Sequence, residues 1–186
     1  RFLNNSVYFS PDLAGLMLAG LLSDTMIFKS PTTTDKDRRV AAELERVSGL
    51  SSLEWGKEIY STSHLEQHSE EELISEDLKE YVSGDTVFAI AQVETIDLER
   101  LRQRKDKLIN AMNELCQRHN YAFMCLMVTD ILDEATELIV AGEKSYLVEQ
   151  AFGAGTMGRI YLHGVMSRKK QVVPVIYDVL RKQQII

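Results

Sequence analysis

Hydrophobic positions in the first third of the chain recur three and four places apart. Leu13, Leu16, Met17 and Leu21 predict a helix over residues 11–25, capped by Ser10 and opened by Pro11. A loop, Ser30-Pro31-Thr32-Thr33-Thr34-Asp35, follows. A second helix over 35–47 places Val40, Leu44 and Val47 on one face and stops at Ser48-Gly49. A third, short helix covers 53–60. Residues 61–72 are then polar and acidic with few apolar anchors, which reads as a connection between two domains. The division expected is 1–62, a linker at 63–70, and 71–186.

Beyond the linker the period changes. Residues 73–81 read as a short helix ended by the turn Ser83-Gly84-Asp85, and 87–93 as a strand. Residues 98–119 read as one long amphipathic helix, its polar face carrying Arg100, Arg102, Arg104, Lys105, Asp106 and Lys107. Residues 123–128 are nearly all apolar, as expected of a central strand buried on both faces. Strands at 136–141 and 160–162 and helices at 146–152 and 175–182 complete the pattern. The expected fold class is α/β: a mixed open sheet flanked by helices, preceded by a helical remnant of a first α/β domain.

Composition narrows the possibilities. At 186 residues with 45% hydrophobic and 26% charged positions, the chain can bury a real core. A net charge of −7 argues against general nucleic-acid binding, which rewards a basic surface. Cys116 and Cys125 form neither a CxxC nor a paired metal motif and read as free thiols of a cytoplasmic protein. No apolar run is long enough to span a bilayer, and no signal peptide is visible. The chain starts at Arg1, from which we expect a piece of a longer protein.

Against the acidic background, one cationic cluster stands out: Ser167-Arg168-Lys169-Lys170-Gln171, between Leu162-His163-Gly164-Val165-Met166 and Val172-Val173-Pro174-Val175-Ile176. Arginine offers a planar fork suited to phosphate and lysine a compact point charge. A solvated surface loop would also accommodate these residues. Asp24, between apolar stretches, is a candidate metal ligand or a capping carboxylate. Lys79 is either paired with Glu76 or Glu80 along a helix or free for a ligand. Gly153-Ala154-Gly155-Thr156-Met157-Gly158 fits G-x-G-x-x-G, but it leads from a helix into a strand, the reverse of the order dinucleotide binding requires. His64 and His68 stand one helical turn apart without an evident third metal ligand. No nucleophile elbow is present.

The segments Leu22-Ser23-Asp24-Thr25-Met26-Ile27-Phe28-Lys29-Ser30-Pro31-Thr32, Ile74-Ser75-Glu76-Asp77-Leu78-Lys79-Glu80 and Gly164-Val165-Met166-Ser167-Arg168-Lys169-Lys170-Gln171-Val172-Val173-Pro174 together resemble the manganese-dependent (family II) inorganic pyrophosphatases of the DHH phosphoesterase superfamily. The resemblance implies that residues 1–62 are the end of a DHH catalytic domain and 71–186 a DHH-associated substrate-binding domain. It implies Asp24 as a metal ligand. Lys79, Arg168 and Lys169 it marks as catalytic, phosphate-binding cations. The implied metal is Mn²⁺, with Co²⁺ or Mg²⁺ as substitutes, held mostly by residues outside this chain. The implied partners are pyrophosphate, an N-terminal domain and a second copy of the intact protein. The family's N-terminal histidine-and-aspartate motif and its Asp-His-His triplet are absent from these residues, and His64, His68, His119 and His163 match neither. An exopolyphosphatase and a non-catalytic partner-binding domain are the alternatives.

Overall fold

The computed structural model describes residues 9–61, 68–153 and 159–183. The chain separates into two compact units, Arg1–Thr62 and Ser63–Ile186.

The first unit contains three helices among its described residues: α1 (Pro11–Thr25), α2 (Asp35–Ser48) and α3 (Ser52–Ser61). Ser10 caps α1 by accepting from the Leu13 N–H at 3.2 Å, and Pro11 takes the first turn, where a missing N–H costs nothing. A capping box starts α2: Thr34 Oγ1 accepts from the Asp37 N–H, and Asp37 Oδ2 accepts from the Thr34 N–H at 2.8 Å. Gly49, in the left-handed region, ends it. Ala14, Leu18 and Leu22 of α1 are buried, as are Ala41 and Leu44 of α2. Leu13 and Leu16 on α1 and Leu53 on α3 stay exposed.

The second unit is a five-stranded sheet of β1 (Leu78–Ser83), β2 (Thr86–Thr95), β3 (Phe123–Asp130), β4 (Ala135–Ala141) and β5 (Ile160–His163), in that spatial order. Only β2 and β3 are parallel; the other neighbours are antiparallel. The sheet is mixed, open and flanked by helices, as its alternating pattern predicts. Parallel strands need a crossover, and α5 (Leu98–Arg102) with α6 (Lys105–His119) supplies it. Helix α4 (Glu70–Glu76) precedes β1, α7 (Tyr146–Phe152) lies between β4 and β5, and α8 (Val173–Gln183) closes the unit.

The period of two divides the strand residues between two cores. Ala89, Ala91, Met124, Leu126, Val128 and Ile139 meet α4, α5 and α6 through Leu73, Ile74, Leu101, Leu108 and Met112. Phe88, Ile90, Phe123, Cys125, Met127 and Leu138 meet α7 and α8 through Leu147, Val148, Val173 and Ile176. Every residue of β3 is buried, as the apolar run Phe123–Val128 predicts, and so are Thr129 and Asp130 at its end. Both cysteines are free and buried; desolvation pushes the Cys125 thiol up to about 12 and Cys116 to about 11.

Three expectations are corrected. Residues 73–81 are not one helix: α4 ends at Glu76, and Leu78–Ser83 is an edge strand paired to β2. Residues 98–119 are two helices, not one, parted at Gln103 and Arg104. Arg102 and Arg104 leave the polar face, Arg102 reaching Glu137 of β4 at 2.8 Å and Arg104 reaching Glu70 and the His68 carbonyl. Glu137 is almost fully buried, and a buried carboxylate demands such a partner. The polar stretch 61–72 contains the first three residues of α4, which a Ser69–Glu72 capping box starts.

Candidate phosphate-binding site

The cationic pentapeptide is not a loose surface loop. Residues Arg168–Val172 form a π-helical turn, capped by Ser167 Oγ, that runs directly into α8. Pro174 is tolerated there because it falls in the first turn of α8. The segment ahead of it crosses the carboxyl ends of the parallel strands, where open α/β sheets place their ligands. Gln92 of β2 donates to Thr129 Oγ1 of β3 and to the Met166 carbonyl, both at 3.3 Å. Thr129 meets Thr136 of β4 at 3.0 Å, and Thr136 donates to the Val165 carbonyl at 2.5 Å. The Gln171 carboxamide closes the loop from the other side. Its oxygen accepts from the Met166 and Ser167 N–H groups, both at 2.9 Å, and its nitrogen donates to the Gly164 carbonyl at 2.6 Å.

Gln92, Thr129 and Thr136 were not among the candidates read from sequence, and Gln171 only as the last residue of the cationic cluster. The available signal was a polar residue inside an apolar strand, as Gln92 is between Ala91 and Val93. Such a group is retained in a core only when its hydrogen bonds are satisfied. We expect Gln171→Ala to loosen the loop by removing three hydrogen bonds at once. In the full-length protein KM for pyrophosphate, the substrate the resemblance implies, should rise about tenfold with a smaller change in kcat, the loss of roughly 1.4 kcal/mol of binding. Steady-state kinetics on Gln171→Ala and Gln171→Glu checks this; the glutamate cannot donate to Gly164 and should not restore KM.

The candidate cations differ in their state. Arg168 is buried: Nη2 meets Asp77 Oδ1 and Oδ2 at 2.8 and 2.9 Å, and Nη1 donates to the carbonyls of Asp77 and Ile90. The Lys169 side chain is exposed and makes no hydrogen bond or ion pair among the described residues. Lys170 is exposed, its N–H donating to Ser167 Oγ at 3.3 Å. Lys79 stands on β1, not on a carboxylate-rich helix, and is likewise without an ion-pair partner among the described residues. The alternative in which Glu80 pairs with it is removed by register. Glu80 points to the opposite face and accepts the Tyr121 hydroxyl, which burial first and then Glu80 push up to about 12. Lys79 sits opposite Ile90, so it shares the sheet face that carries Val172 and α8. The fold thus sets Lys79 opposite Ile90, whose carbonyl accepts from Arg168 Nη1, a residue 78 positions further along the chain. The ammonium groups of Lys79 and Lys169, without ion-pair partners among the described residues, suit an anionic ligand.

Asp24 lies in the first unit, on the last turn of α1. Its carboxylate is exposed and takes no hydrogen bond or ion pair from the described residues. The three residues after Thr25 are in the left-handed region: Met26 at φ 49°, Ile27 at 52° and Phe28 at 65°. For a β-branched residue this is strained, and it persists only where the surroundings over-determine it. Here the Ile27 N–H donates to the Leu22 carbonyl at 2.9 Å, and the Ser30 N–H to that of Thr25 at 2.9 Å. Arg38 donates to the Phe28 carbonyl and lies over the Phe28 ring, and the Tyr60 hydroxyl donates to the Ser23 carbonyl at 3.1 Å. Ile27 packs where Gly56 leaves room for it. The bracing fixes the backbone on both sides of Asp24. A glycine inside a short helix, costly by propensity, was the sequence signal for this position.

An unpartnered carboxylate is a hard oxygen donor and fits Mn²⁺ as one ligand of several. No group of three or more His, Cys, Asp or Glu able to hold a metal occurs among the described residues. His119 stacks on Tyr121 and His163 packs edge-on to Tyr161. His64 of the histidine pair, and most of the Gly153–Gly158 motif, lie outside the described residues.

The DHHA2 domain family matches residues 59–179. The manganese-dependent inorganic pyrophosphatase of Methanocaldococcus jannaschii is 40% identical over 167 residues, which cover 88% of this chain and 54% of that protein. The Bacillus subtilis manganese-dependent inorganic pyrophosphatase is 37% identical over 178 residues, 95% of this chain and 58% of that one. Among solved structures, a Methanococcus jannaschii protein assigned to family II of the inorganic pyrophosphatases superimposes with a TM-score of 0.77 at 36% identity, covering 95% of this chain and 58% of that one. The chain therefore spans little more than half the length of the relatives it matches.

Proposed function

The chain belongs to the DHHA2 domain family, and from that premise we propose that it serves the hydrolysis of inorganic pyrophosphate to two phosphates. The observation that supports this reading is the buried Arg168 holding the carbonyl of Ile90, the residue opposite Lys79, in a chain 37–40% identical to manganese-dependent pyrophosphatases. In this reading residues 1–62 belong to a DHH catalytic domain completed by residues outside this chain, and 71–186 form the substrate-binding domain. No helix among the described residues is long and apolar enough to cross a membrane; we place the enzyme in the cytoplasm and, when intact, in a homodimer.

Pyrophosphate carries several negative charges that repel an attacking hydroxide. Lys79 and Lys169 neutralise that charge and orient the two phosphoryl groups. Arg168 stabilises the charge that grows on the leaving phosphate, a preorganised interaction strongest in the transition state. Asp24 would be one oxygen ligand to the metal. Manganese, or Co²⁺ or Mg²⁺ in its place, would supply Lewis acidity toward a phosphoryl oxygen when bound.

The test is phosphate release by the full-length protein with Mn²⁺, comparing pyrophosphate with tripolyphosphate and longer polyphosphate. Pyrophosphate should be the preferred substrate. Preference for long chains would assign an exopolyphosphatase instead, and no turnover of any of them would leave a non-catalytic partner-binding domain.

A further inference from the structure

The ion pair that holds Arg168 is lopsided. Its arginine side chain is 7% exposed, whereas that of Asp77 is 47% exposed. Asp77 sits at the junction of α4 and β1, two residues before Lys79. Both of its carboxylate oxygens meet the same nitrogen, Nη2, while Nη1 is spent on the carbonyls of Asp77 and Ile90. The two ends of the guanidinium therefore have different jobs. Nη1 anchors it to backbone that does not move with the Asp77 side chain, and Nη2 holds an oxyanion that faces water. A phosphate offers that nitrogen the same oxygens at the same distances.

We propose that Asp77 sets the affinity of this site: its carboxylate occupies Arg168 Nη2 in the absence of substrate and yields it to a phosphate oxygen. The proposal rests on the reading of Lys79, Arg168 and Lys169 as phosphate-binding cations. Asp77 brings one charge and engages one cation. A pyrophosphate brings several charges and engages Lys79 and Lys169 as well, neither of which has an ion-pair partner among the described residues. The released carboxylate, already half in water, regains its hydration without a buried charge being left behind. The anchor through Nη1 means that no large excursion of Arg168 is needed. A monoanion cannot recruit all three cations and displaces Asp77 poorly, so the contact also discriminates against weakly charged ligands.

The experiment uses the full-length protein with Mn²⁺ and imidodiphosphate, a non-hydrolysable pyrophosphate analogue. Asp77→Asn keeps the shape and removes the competing charge. It should tighten imidodiphosphate binding and lower KM for pyrophosphate by about three- to tenfold, the range an exposed ion pair supports. In an Arg168→Lys background the same substitution should give no such gain. Unchanged or weaker binding by a folded Asp77→Asn protein overturns the proposal. Should that variant fail to fold, the wild-type complex with imidodiphosphate decides. Nη2 on an analogue oxygen and away from Asp77 supports the proposal, and the Arg168–Asp77 contact intact overturns it while leaving the functional reading in place. A wild-type protein that binds no imidodiphosphate overturns both.

Discussion

Arg168→Lys in the full-length protein is expected to lower kcat/KM for pyrophosphate by about a hundredfold, although it keeps the charge. The loss of one charge-assisted contact to a transferring phosphoryl group is worth roughly 3 kcal/mol of transition-state stabilisation. Lysine has no second nitrogen to divide between the backbone carbonyls and an oxyanion, which is the arrangement Arg168 makes with Ile90, Asp77 and the Asp77 carboxylate. It also gives up the Nη1 hydrogen bonds to the Asp77 and Ile90 carbonyls, so a lower melting temperature should accompany the kinetic loss. Lys169→Ala should be damaging too. Lys170→Ala should cost well under tenfold, because three consecutive side chains in one turn cannot all reach one small ligand. Steady-state kinetics on the three variants decides the matter, and a Lys170 variant more damaged than Arg168→Lys would reverse the roles within this turn.

The second large effect is expected in the first unit. An alanine Cβ at position 56 would stand 2.7 and 2.8 Å from Cγ1 and Cδ1 of Ile27. Ile27 cannot retreat easily: it is β-branched, buried, and tied by its N–H to Leu22. Gly56→Ala should therefore destabilise this unit by about 3 kcal/mol, the upper end for overpacking a close contact. Trp55 is the single tryptophan of the chain, and its indole donates to the Gly15 carbonyl at 3.2 Å. Its fluorescence during urea unfolding reports this unit directly. In an Ile27→Ala background the cost of Gly56→Ala should largely vanish, since the clashing atoms are gone. Equal costs in both backgrounds would mean that the strain lies elsewhere. Because the left-handed turn begins two residues after Asp24, Mn²⁺ affinity of the full-length protein should fall with the single substitution and recover in part with the double.

The two misread segments share a cause. Leu78–Ser83 is an edge strand whose exposure does not alternate cleanly, and no glycine or proline separates it from α4. A helical period begun at Glu70 runs on through Asp77 without a local signal to stop. The break at Gln103 and Arg104 is equally silent in sequence. It accompanies ion pairs to Glu137 and Glu70, each more than 30 residues away, which no local window contains.

Sequence by itself determined the elements whose burial is extreme or whose ends are chemically marked. β3 is legible because the six consecutive apolar residues Phe123–Val128 admit no polar alternation. Helices α1 and α2 are legible because Ser10, Pro11, Thr34 and Gly49 satisfy or end their backbone hydrogen bonds locally. The cationic turn and Asp24 are legible as unusual charges beside apolar segments. Only the tertiary structure decided what those charges do. It moved Lys79 from a helix to a sheet edge, where Glu80 turns to the other face and Asp77 is held by Arg168. It buried Arg168 against Asp77, 91 residues away, and left Lys169 unpaired one position further on. Charge is written in the sequence, but whether a charge is neutralised depends on which groups the sheet register and the crossover bring within about 4 Å, and that is a property of the folded chain.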